Sequence, residues 1–476
     1  MLRSWRLWGG TATTALALAA GMLGAQPSTA ATTVAGPVSP APAAQTPHLI
    51  STGPLAQIRQ LVQCGSTMYA VGSFSQIKRN STTYTRDNVF SFSATSPFKV
   101  TSWAPDVNGV VNSITFNGGN CADAYIGGKF SAVGGTTVKD IAEISTSTGS
   151  VVTAFGHSAS GQVETLASYQ GHVIAGGYFT SINGSAADPY LASLNKTTGK
   201  DDGLIRLNIS GNYNYPGVAA NGTRVYNQAL NHTGRQDLIM GDFTSAGGQP
   251  RQQIFMLDLT TRPTATVTAW TSPEFDGSQG EQQPGDTTGY PYQCATAEPF
   301  YIQAAAWSPD GSTIYIGDTG YHPNNWPVGA TPRNGLCDAA AAFPATLPDG
   351  SYGPVMAEWV NYTGCDSIYA AAADASAAYF GGHERYSDNS QDCDALGPPP
   401  AMNAPGMEGL VPSTGALMTN SAGTAGLYSR GKGLGADDML VTSAGLWIAS
   451  DNLDGGQTCG GVGGHAGLCL LPYPAQ

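Results

Sequence analysis

The residues best suited to chemistry follow a short strand motif that recurs along the chain and ends on small residues. In the fourth to seventh copies, an aspartate or a histidine follows the last small residue, and the first strand of the last copy opens on Asp437 and Asp438. Two carboxylates that flank a sugar can act as general acid and as base or nucleophile in glycoside hydrolysis. A histidine beside a carboxylate can abstract a proton. The candidate catalytic residues are Asp242, Asp318, His383, Asp437 and Asp451.

Each of these residues also has a structural interpretation, because aspartates at strand ends often stabilise turns or pair with a nearby arginine. Glu384 and Arg385 follow His383 directly, so such pairing is possible there. A serine nucleophile is not indicated, since no GxSxG elbow lies between a strand and a helix. Catalysis and simple structural use therefore both remain open for the five candidates.

A second set of residues is suited to binding a sugar ring or the surface of a partner. One member follows the last glycine of the third copy of the motif, and two lie shortly after His383 in the sixth copy. The others come from the longest insertions, 272–299 and 321–354, which are rich in aromatic residues. Exposed aromatic rings can stack on sugars, although the same rings can simply anchor long loops beside a disulfide. The candidate binding residues are Tyr178, Tyr321, His322, Trp326, Arg385 and Tyr386.

Calcium is the one metal that the sequence allows, and no cofactor is predicted. Asp388, Asn389, Asp392 and Asp394 surround Cys393, and oxygen ligands of this kind can hold calcium. The spacing differs from an EF-hand loop, which needs a glycine at its sixth position and a closing glutamate. A solvated polar loop is therefore the favoured interpretation.

The motif that positions these residues is a short apolar strand with paired small residues and a following aromatic, as in Tyr125 to Phe130 (YIGGKF). Seven copies recur at intervals of 49 to 76 residues, and such a period indicates a repeat architecture. Aligned on the last small residue, the copies lie at Gly72, Gly128, Gly177, Gly241, Gly317, Gly382 and Ser450. We therefore expect the residues that follow them to form a ring at one face of the fold.

Each repeat is predicted to contain four strands separated by turn residues. No segment of comparable length has a helical period, so the predicted fold is an all-β, seven-bladed β-propeller of four-stranded blades with disulfides. The predicted strands of the second and third repeats are 110–116, 124–130, 141–144, 151–155, 163–169, 172–179, 191–194 and 205–207. The paired glycines are interpreted as packing residues, and Phe74, Phe130, Phe179 and Phe243 as wedges between blades.

The ends of the chain are predicted to meet in the last blade. Leu468 to Leu471 supplies a late strand, and His48 to Ser51 supplies the outermost one, because an open ring would leave two sheet edges. Residues 1–30 have a basic start and an apolar run typical of a secretory signal peptide. Residues 31–47 form a Pro/Ala-rich spacer that we expect to be unpacked, and residues 48–476 form a single propeller domain.

The composition excludes nucleic-acid binding and favours a secreted protein. Removal of residues 1–47, which hold two arginines and no acidic residue, makes the formal net charge two units more negative than −13, so a basic footprint is missing. No later segment is apolar enough to span a membrane. The eight cysteines predict disulfides in an exported chain. Their positions in the repeats pair Cys64 with Cys121, Cys294 with Cys337, Cys365 with Cys393, and Cys459 with Cys469.

The repeats VGSF, GGKF, GGYF and GDF, with GGHERYSDN at 381–389 and GLGADDMLVTSAGLWIASDN at 433–452, resemble the secreted actinobacterial β-propeller proteins with GGxF repeats, of the delta-60-repeat and Rax2-like type. The resemblance covers most of the chain after the leader. Positions that fit its paired signature are His383, Arg385, Tyr386, Asn389, Trp447 and Asp451. Glu384 does not fit it, and the resemblance implies an extracellular repeat protein without naming an activity.

We therefore expect a secreted, monomeric binding or scaffold protein that recognises an extracellular polysaccharide or a surface protein through the long-loop face of blades 4–7. The alternative is a carbohydrate-active enzyme, either a glycoside hydrolase or a polysaccharide lyase, with an acidic and histidine site on that face. A quinone-dependent dehydrogenase is disfavoured because the repeated tryptophan motifs of that class are absent.

Overall fold

The chain folds into short antiparallel strands. The computed structural model describes residues 34–35, 38–39, 41–50, 55–212, 222–275, 300–320, 336–390, 392, 395–419, 435–452 and 465–474. Within these ranges it contains 35 β-strands, one single-turn 3-10 helix at Pro273–Phe275 and no α-helix. The prediction of an all-β fold is confirmed. None of the described helical residues forms a segment long and apolar enough to cross a membrane.

Seven main sheets of three or four antiparallel strands follow one another along the chain, and in each the strands are paired in chain order. The second strand of every sheet carries the repeated motif. Sheets 1 to 7 are, in order, Gln57–Cys64, Thr67–Ser73 and Val89–Ser93; Val110–Asn117, Asn120–Lys129 and Ile141–Ser145; Val163–Tyr169, His172–Gly177 and Leu191–Asn195; Arg224–Leu230, Gln236–Asp242, Ile254–Asp258 and Thr266–Val267; Tyr301–Trp307, Thr313–Thr319, Ala339–Pro344 and Trp359–Tyr362; Ile368–Ala373, Ala378–Gly382 and Met407–Leu410; Asp438–Thr442, Gly445–Ala449 and Leu468–Pro472.

Shorter strands form small ribbons beside these sheets. They are Val34–Ala35 with Met418–Thr419, His48–Leu49 with Gln76–Arg79 and Thr82–Thr85, Ala132–Val133 with Thr136–Thr137, Ile209–Ser210 with Ser245–Ala246 and Gln249–Pro250, and Tyr386–Ser387 with Met402–Asn403.

The prediction of four strands in every unit is wrong for several units, because only sheets 4 and 5 have a fourth strand among the described residues. In sheet 2 the expected strand is reduced to one bridge, Ile144 with Val151. In sheet 3 the chain leaves the edge after Asp201, since Gly203 turns it with a φ of 82°. The amide of Ile205 then donates to Ser193 Oγ instead of to a backbone carbonyl.

The core is divided into seven apolar clusters, one between each pair of neighbouring sheets, including one between sheets 7 and 1. The aromatic residues that follow the motif, Phe74, Phe130, Phe179 and Phe243, are at most 6% exposed. Each belongs to the cluster between its own sheet and the preceding one. Their predicted role as wedges between units is confirmed.

The glycines of the motif are packing residues, as predicted. A Cβ on Gly127 would lie 2.5 Å from Val163 Cγ1 of the next sheet, and one on Gly176 would lie 2.6 Å from Val225 Cγ1. The glycine one position later faces backbone instead, since a Cβ on Gly128 would lie 2.1 Å from the carbonyl oxygen of Val110. Two successive residues without a side chain therefore let three strands approach closely.

The first strand of each sheet contacts the first strand of the next, and that of sheet 7 contacts that of sheet 1. Side chains bond across three of these junctions in the same way. The amide of Ile114 donates to Gln60 Oε1 at 2.6 Å, and the amide of Leu166 donates to Ser113 Oγ at 3.0 Å. Between sheets 7 and 1, the amide of Leu61 donates to Asp438 Oδ2 at 2.7 Å.

The way in which the chain ends meet differs from the prediction. His48–Leu49 pairs with Gln76–Arg79 and not with sheet 7, and Ser51 lies outside the described residues. The open edge of Leu468–Pro472 is instead covered by the segment before it, where the amides of Ser39 and Ala43 donate to the carbonyls of Pro472 and Leu470.

The segment expected to be an unpacked spacer is thus packed where it is described. Val38 is 4% exposed and lies in the cluster between sheets 6 and 7. Its hydrogen-bonded neighbours satisfy carbonyls that would otherwise line an unpaired sheet edge. The expected signal peptide lies outside the described residues.

One predicted disulfide is seen in full. Cys64 is bonded to Cys121, with the two Cα atoms 5.8 Å apart, and joins sheet 1 to sheet 2. Cys337, Cys365 and Cys469 are also disulfide-bonded. Their predicted partners, Cys294, Cys393 and Cys459, lie outside the described residues, so these pairings stay predictions.

Candidate functional site

Six of the first strands contain a β-bulge at the same point of the repeat. In sheets 1 to 6, one residue of the first strand has no partner in the second strand. In sheet 2, for example, Val111 pairs with Gly128 and Ser113 pairs with Gly127, so that Asn112 is skipped. A bulge leaves its extra residue unpaired and re-aims the side chain. The skipped residues are Arg59, Asn112, Glu164, Tyr226, Gln303 and Tyr369.

All six skipped residues line one cavity of about 390 Å³. Sheet 7 contributes Asp437 and Asp438. A Cβ on Gly381 would contact Ala436 and Met439, just as one on Gly127 would contact Val163 and Leu166. Asp437, directly before the strand Asp438–Thr442, therefore occupies the place that Glu164 has in sheet 3, so each of the seven sheets has a polar side chain at this place in the cavity.

Five cavity side chains form one continuous hydrogen-bonded row across sheets 7, 1, 2 and 3. Gln57 donates to Asp437 at 2.8 Å and accepts from Arg59 Nε at 3.0 Å. Arg59 Nη1 donates to Asn112 at 2.6 Å, and the Asn112 amide donates to Glu164 at 2.8 Å. This row fixes the orientation of two carboxylates, one guanidinium and two amides in the cavity wall.

The wall formed by sheet 4 is built on Arg224 and aromatic rings. The guanidinium of Arg224 lies over the rings of Tyr178 and Tyr226, at 5.0 and 5.3 Å from their centroids. The hydroxyl of Tyr226 donates to the backbone carbonyl of Ile302, and the Asn227 amide donates to the Gln303 carbonyl at 3.0 Å. Tyr178, a predicted binding residue, thus contacts a residue of the cavity.

The carboxyl groups of the cavity are less acidic than usual because they are desolvated. Burial raises the pKa of Asp437 to about 7, against the hydrogen bond from Gln57, and the charge of Asp451 raises it further. Burial also raises the pKa of Asp438 to about 7, although the Leu61 amide opposes it. Burial also raises the pKa of Glu164. The hydrogen bond from the Gln162 side chain and the charges of Arg224 and Arg59 offset only part of this effect.

The predicted ring of catalytic residues is only partly brought to this cavity. Asp437 lines it, whereas Asp242, Asp318 and Asp451 are 0% exposed and are not among its lining residues. The ring of His383 lies beside the cavity residue Tyr369, with 5.3 Å between the centroids.

The position assigned to Asp318 in the repeat is wrong by one residue. Asp318 pairs with Ile302, as Gly128 pairs with Val111, so Asp318 corresponds to the last small residue and not to the one after it. Its carboxylate accepts from the amide of Ala339 at 3.2 Å. The position equivalent to Lys129 in sheet 5 is therefore Thr319.

Two of the other predicted binding residues have structural contacts, and three are not described. Arg385 forms a two-pronged ion pair with Asp366, through contacts of 2.6 and 2.9 Å, and also lies over the ring of Tyr386. Tyr321, His322 and Trp326 lie outside the described residues.

In the loop considered for calcium, the side chain of Asn389 is hydrogen-bonded to backbone groups of the same loop. The Asn389 amide donates to the carbonyls of Asp392 and Ala395, and its carbonyl accepts from the Gly397 amide. Asp394 lies outside the described residues. Across the described part of the chain, no cluster of three or more His, Cys, Asp or Glu is placed to hold a metal ion.

A second cavity of about 540 Å³ lies further along the first strands of sheets 1 to 4 and includes Cys64 in its lining. It shares Gln60 and Thr165 with the first cavity. The same four strands therefore carry polar residues of two cavities in succession.

The cavity residues, apart from Asp437 and Asp438, were not identified from the sequence. A signal was present, because each skipped residue follows an aliphatic residue in the first strand, as in Ile58-Arg59, Val163-Glu164 and Ile368-Tyr369. Alignment of the first strands, in addition to the motif strands, brings these polar residues into one column.

No family model and no curated protein matches the sequence. Among solved structures, the extracellular domain of BT4673 from B. thetaiotaomicron aligns with a TM-score of 0.43 and 10% identity, over 90% of this chain and 40% of that one. The computationally designed Ika8 protein has a TM-score of 0.40 and 10% identity, over 90% and 99% of the two chains. Hydrazine synthase from Kuenenia stuttgartiensis has a TM-score of 0.39 and 10% identity, over 71% and 77%. The site is therefore interpreted from its own residues.

Proposed function

We propose that the chain is a secreted seven-bladed β-propeller of the delta-60-repeat and Rax2-like type. Three observations support the fold: seven sheets in sequence, seven apolar clusters between neighbouring sheets, and contacts of first strands that lead from sheet 7 back to sheet 1. The signal-like leader in the sequence and the Cys64–Cys121 disulfide support export. The cavity lined by the first strands is then the axial cavity of the propeller.

The proposed function is the binding of an extracellular saccharide in this axial cavity. The observation that carries it is the set of bulges, which direct one polar side chain from each of six strands into one space. Amide, guanidinium, carboxyl and phenol groups hydrogen-bond well to sugar hydroxyls, and the volume of about 390 Å³ suits a small-molecule site. We place recognition here because polar side chains of all seven sheets converge on this cavity.

Hydrolysis is a second candidate function, because Glu164 and Asp437 share the cavity. Asp437, with a pKa raised to about 7, is suited to act as a general acid near neutral pH. Incubation of the protein with saccharides that bind to it distinguishes the two functions. Release of new reducing ends that is lost in Asp437→Asn supports hydrolysis, whereas stable binding without product supports a binding protein.

Binding is tested by a glycan array followed by isothermal titration calorimetry of the saccharides that bind. The side chain of Gln303 lines the cavity and makes no hydrogen bond to a described residue, so Gln303→Ala leaves the fold intact. We expect its affinity for the saccharide to fall about fivefold, the value of one hydrogen bond near 1 kcal/mol. Gln76→Ala, an exposed strand position in the described ribbon, is the matched control. Equal affinities of the two variants would place the saccharide outside this cavity.

A further inference from the structure

We infer that the saccharide carries a carboxylate, as a uronic acid does, and that Arg224 binds it. This inference rests on the proposed function, because it assigns the class of ligand for the same cavity. Arg224 is the first residue of the strand Arg224–Leu230 and lines the cavity.

The guanidinium of Arg224 makes no side-chain hydrogen bond to a described residue. It lies over the rings of Tyr178 and Tyr226, and its charge lowers the pKa of Glu164 in the same cavity. Its Nε is buried without a hydrogen-bond partner, and it forms no ion pair with a described carboxylate. A buried donor without a partner costs free energy, and a ligand anion would provide that guanidinium with partners.

The other arginine of the cavity is already engaged. Arg59 donates through Nε to Gln57 and through Nη1 to Asn112. Arg224 is therefore the cavity guanidinium whose side-chain donors make no hydrogen bond to a described residue, and a single carboxylate can accept from them. Glu164 and Asp437 line the same cavity, and their negative charge opposes a dianionic phosphate more strongly than a singly charged carboxylate.

The rings beside Arg224 favour a sugar acid over a small inorganic anion. A guanidinium that lies over aromatic rings keeps its edge free for two parallel hydrogen bonds to a planar carboxylate. Tyr178 and Tyr226 add apolar faces next to that edge, and such faces stack on sugar rings. Carboxylate and sugar recognition thus lie next to each other in one wall of the cavity.

The test is calorimetry with tetrasaccharides of galacturonate, glucuronate, mannuronate and guluronate, each beside its carboxyl-reduced neutral counterpart and a sulfated neutral tetrasaccharide. We expect at least one uronate to bind ten times more tightly than its reduced form. Arg224→Gln should remove that preference, so that the uronate and its reduced form bind with equal affinity. Arg224→Lys keeps the charge without the planar fork and should give an intermediate affinity. Arg235→Gln, an exposed position in the turn between the first two strands of the same sheet, should bind like the wild type.

The outcomes separate this inference from the proposed function. Equal binding of uronate and reduced saccharide, a preference kept in Arg224→Gln, or stronger binding of the sulfated form would overturn the carboxylate assignment. Binding of the neutral form that still depends on Gln303 would leave the proposed function intact. Failure of every saccharide to bind at millimolar concentration would overturn both.

Discussion

Asp237 provides a sharp test of the physical reasoning, because its carboxyl group is buried without compensation. It is the second residue of the strand Gln236–Asp242 and is 0% exposed, and neither of its oxygens has a hydrogen-bond partner among the described residues. Desolvation alone raises its pKa from 3.8 to about 8. The folded protein therefore keeps this group protonated at neutral pH, whereas the unfolded chain releases the proton.

The sign of the effect follows from the raised pKa. Below about pH 4 both states hold the proton, so Asp237 has no pH-dependent effect there. As the pH rises towards 8, only the folded state keeps the proton, and stability falls by about 1.36 kcal/mol per pH unit. Between pH 5 and pH 7 this single group should remove about 2.7 kcal/mol from the free energy of unfolding.

Asp237→Asn removes this dependence, because the amide has a similar shape and cannot ionise. Between pH 5 and pH 7, the free energy of unfolding of the variant should therefore fall by about 2.7 kcal/mol less than that of the wild type. Urea unfolding curves at pH 5, 6 and 7, followed by tryptophan fluorescence with the disulfides intact, measure this difference. The pH slope is the informative quantity, since the buried amide adds a constant cost at every pH.

The control is Gln76→Ala, at an exposed uncharged position, which changes no titrating group and should leave the slope of the wild type unchanged. Parallel pH profiles for Asp237→Asn and the wild type would refute the reasoning. They would mean that the group is already ionised in the folded state, through a partner or through water.

Three further changes test the junctions between sheets. Asp438→Ala removes the acceptor of the Leu61 amide and should cost about 1.5–3 kcal/mol, with faster hydrogen exchange at that amide; Asp438→Asn, which keeps an acceptor, should cost less. Gly127→Ala places a Cβ 2.5 Å from Val163 Cγ1 and should lower the free energy of unfolding by about 1–3 kcal/mol. Adding Val163→Ala should restore part of this loss. If the losses of stability of the two single variants simply add in the double variant, the clash is contradicted. Replacing both cysteines of the disulfide between sheets 1 and 2 with serine should cost about 2–5 kcal/mol, measured by thermal unfolding, and an unchanged midpoint would show that the bond adds no stability.

The parts of the fold that could be predicted from the sequence depend on local packing. A position with no room for a Cβ, such as Gly127, selects glycine in every copy where the next sheet approaches closely. The aromatic residue that follows, such as Phe130, recurs because it fills the same gap between sheets. These requirements leave a visible repeat, and the all-β fold, the seven motif strands and the wedges followed from it.

The parts that could not be predicted depend on register and on edges. Alignment on the last small residue makes Gly317 equivalent to Gly128 and Asp318 equivalent to Lys129. In the structure Gly317 is equivalent to Gly127, so Asp318 takes the position of Gly128. The outermost strands have no partner on one side and so leave little pattern. This explains why the predicted strand at 205–207 is absent and why Ser39 and Ala43, instead of His48, cover the last sheet.

The bulges explain why the cavity residues do not follow the alternation of side chains along a strand, and why their types differ between sheets. In a regular strand the side chains alternate between two faces, and here both faces of a first strand are packed against neighbouring sheets. A skipped residue leaves that alternation, so its side chain reaches the cavity without replacing an apolar residue. The seven positions accordingly hold different polar types, from Arg59 and Glu164 to Gln303 and Asp437. Substitution at a position such as Gln303, whose side chain has no hydrogen bond to a described residue, should therefore change the polar groups in the cavity wall with little change in stability.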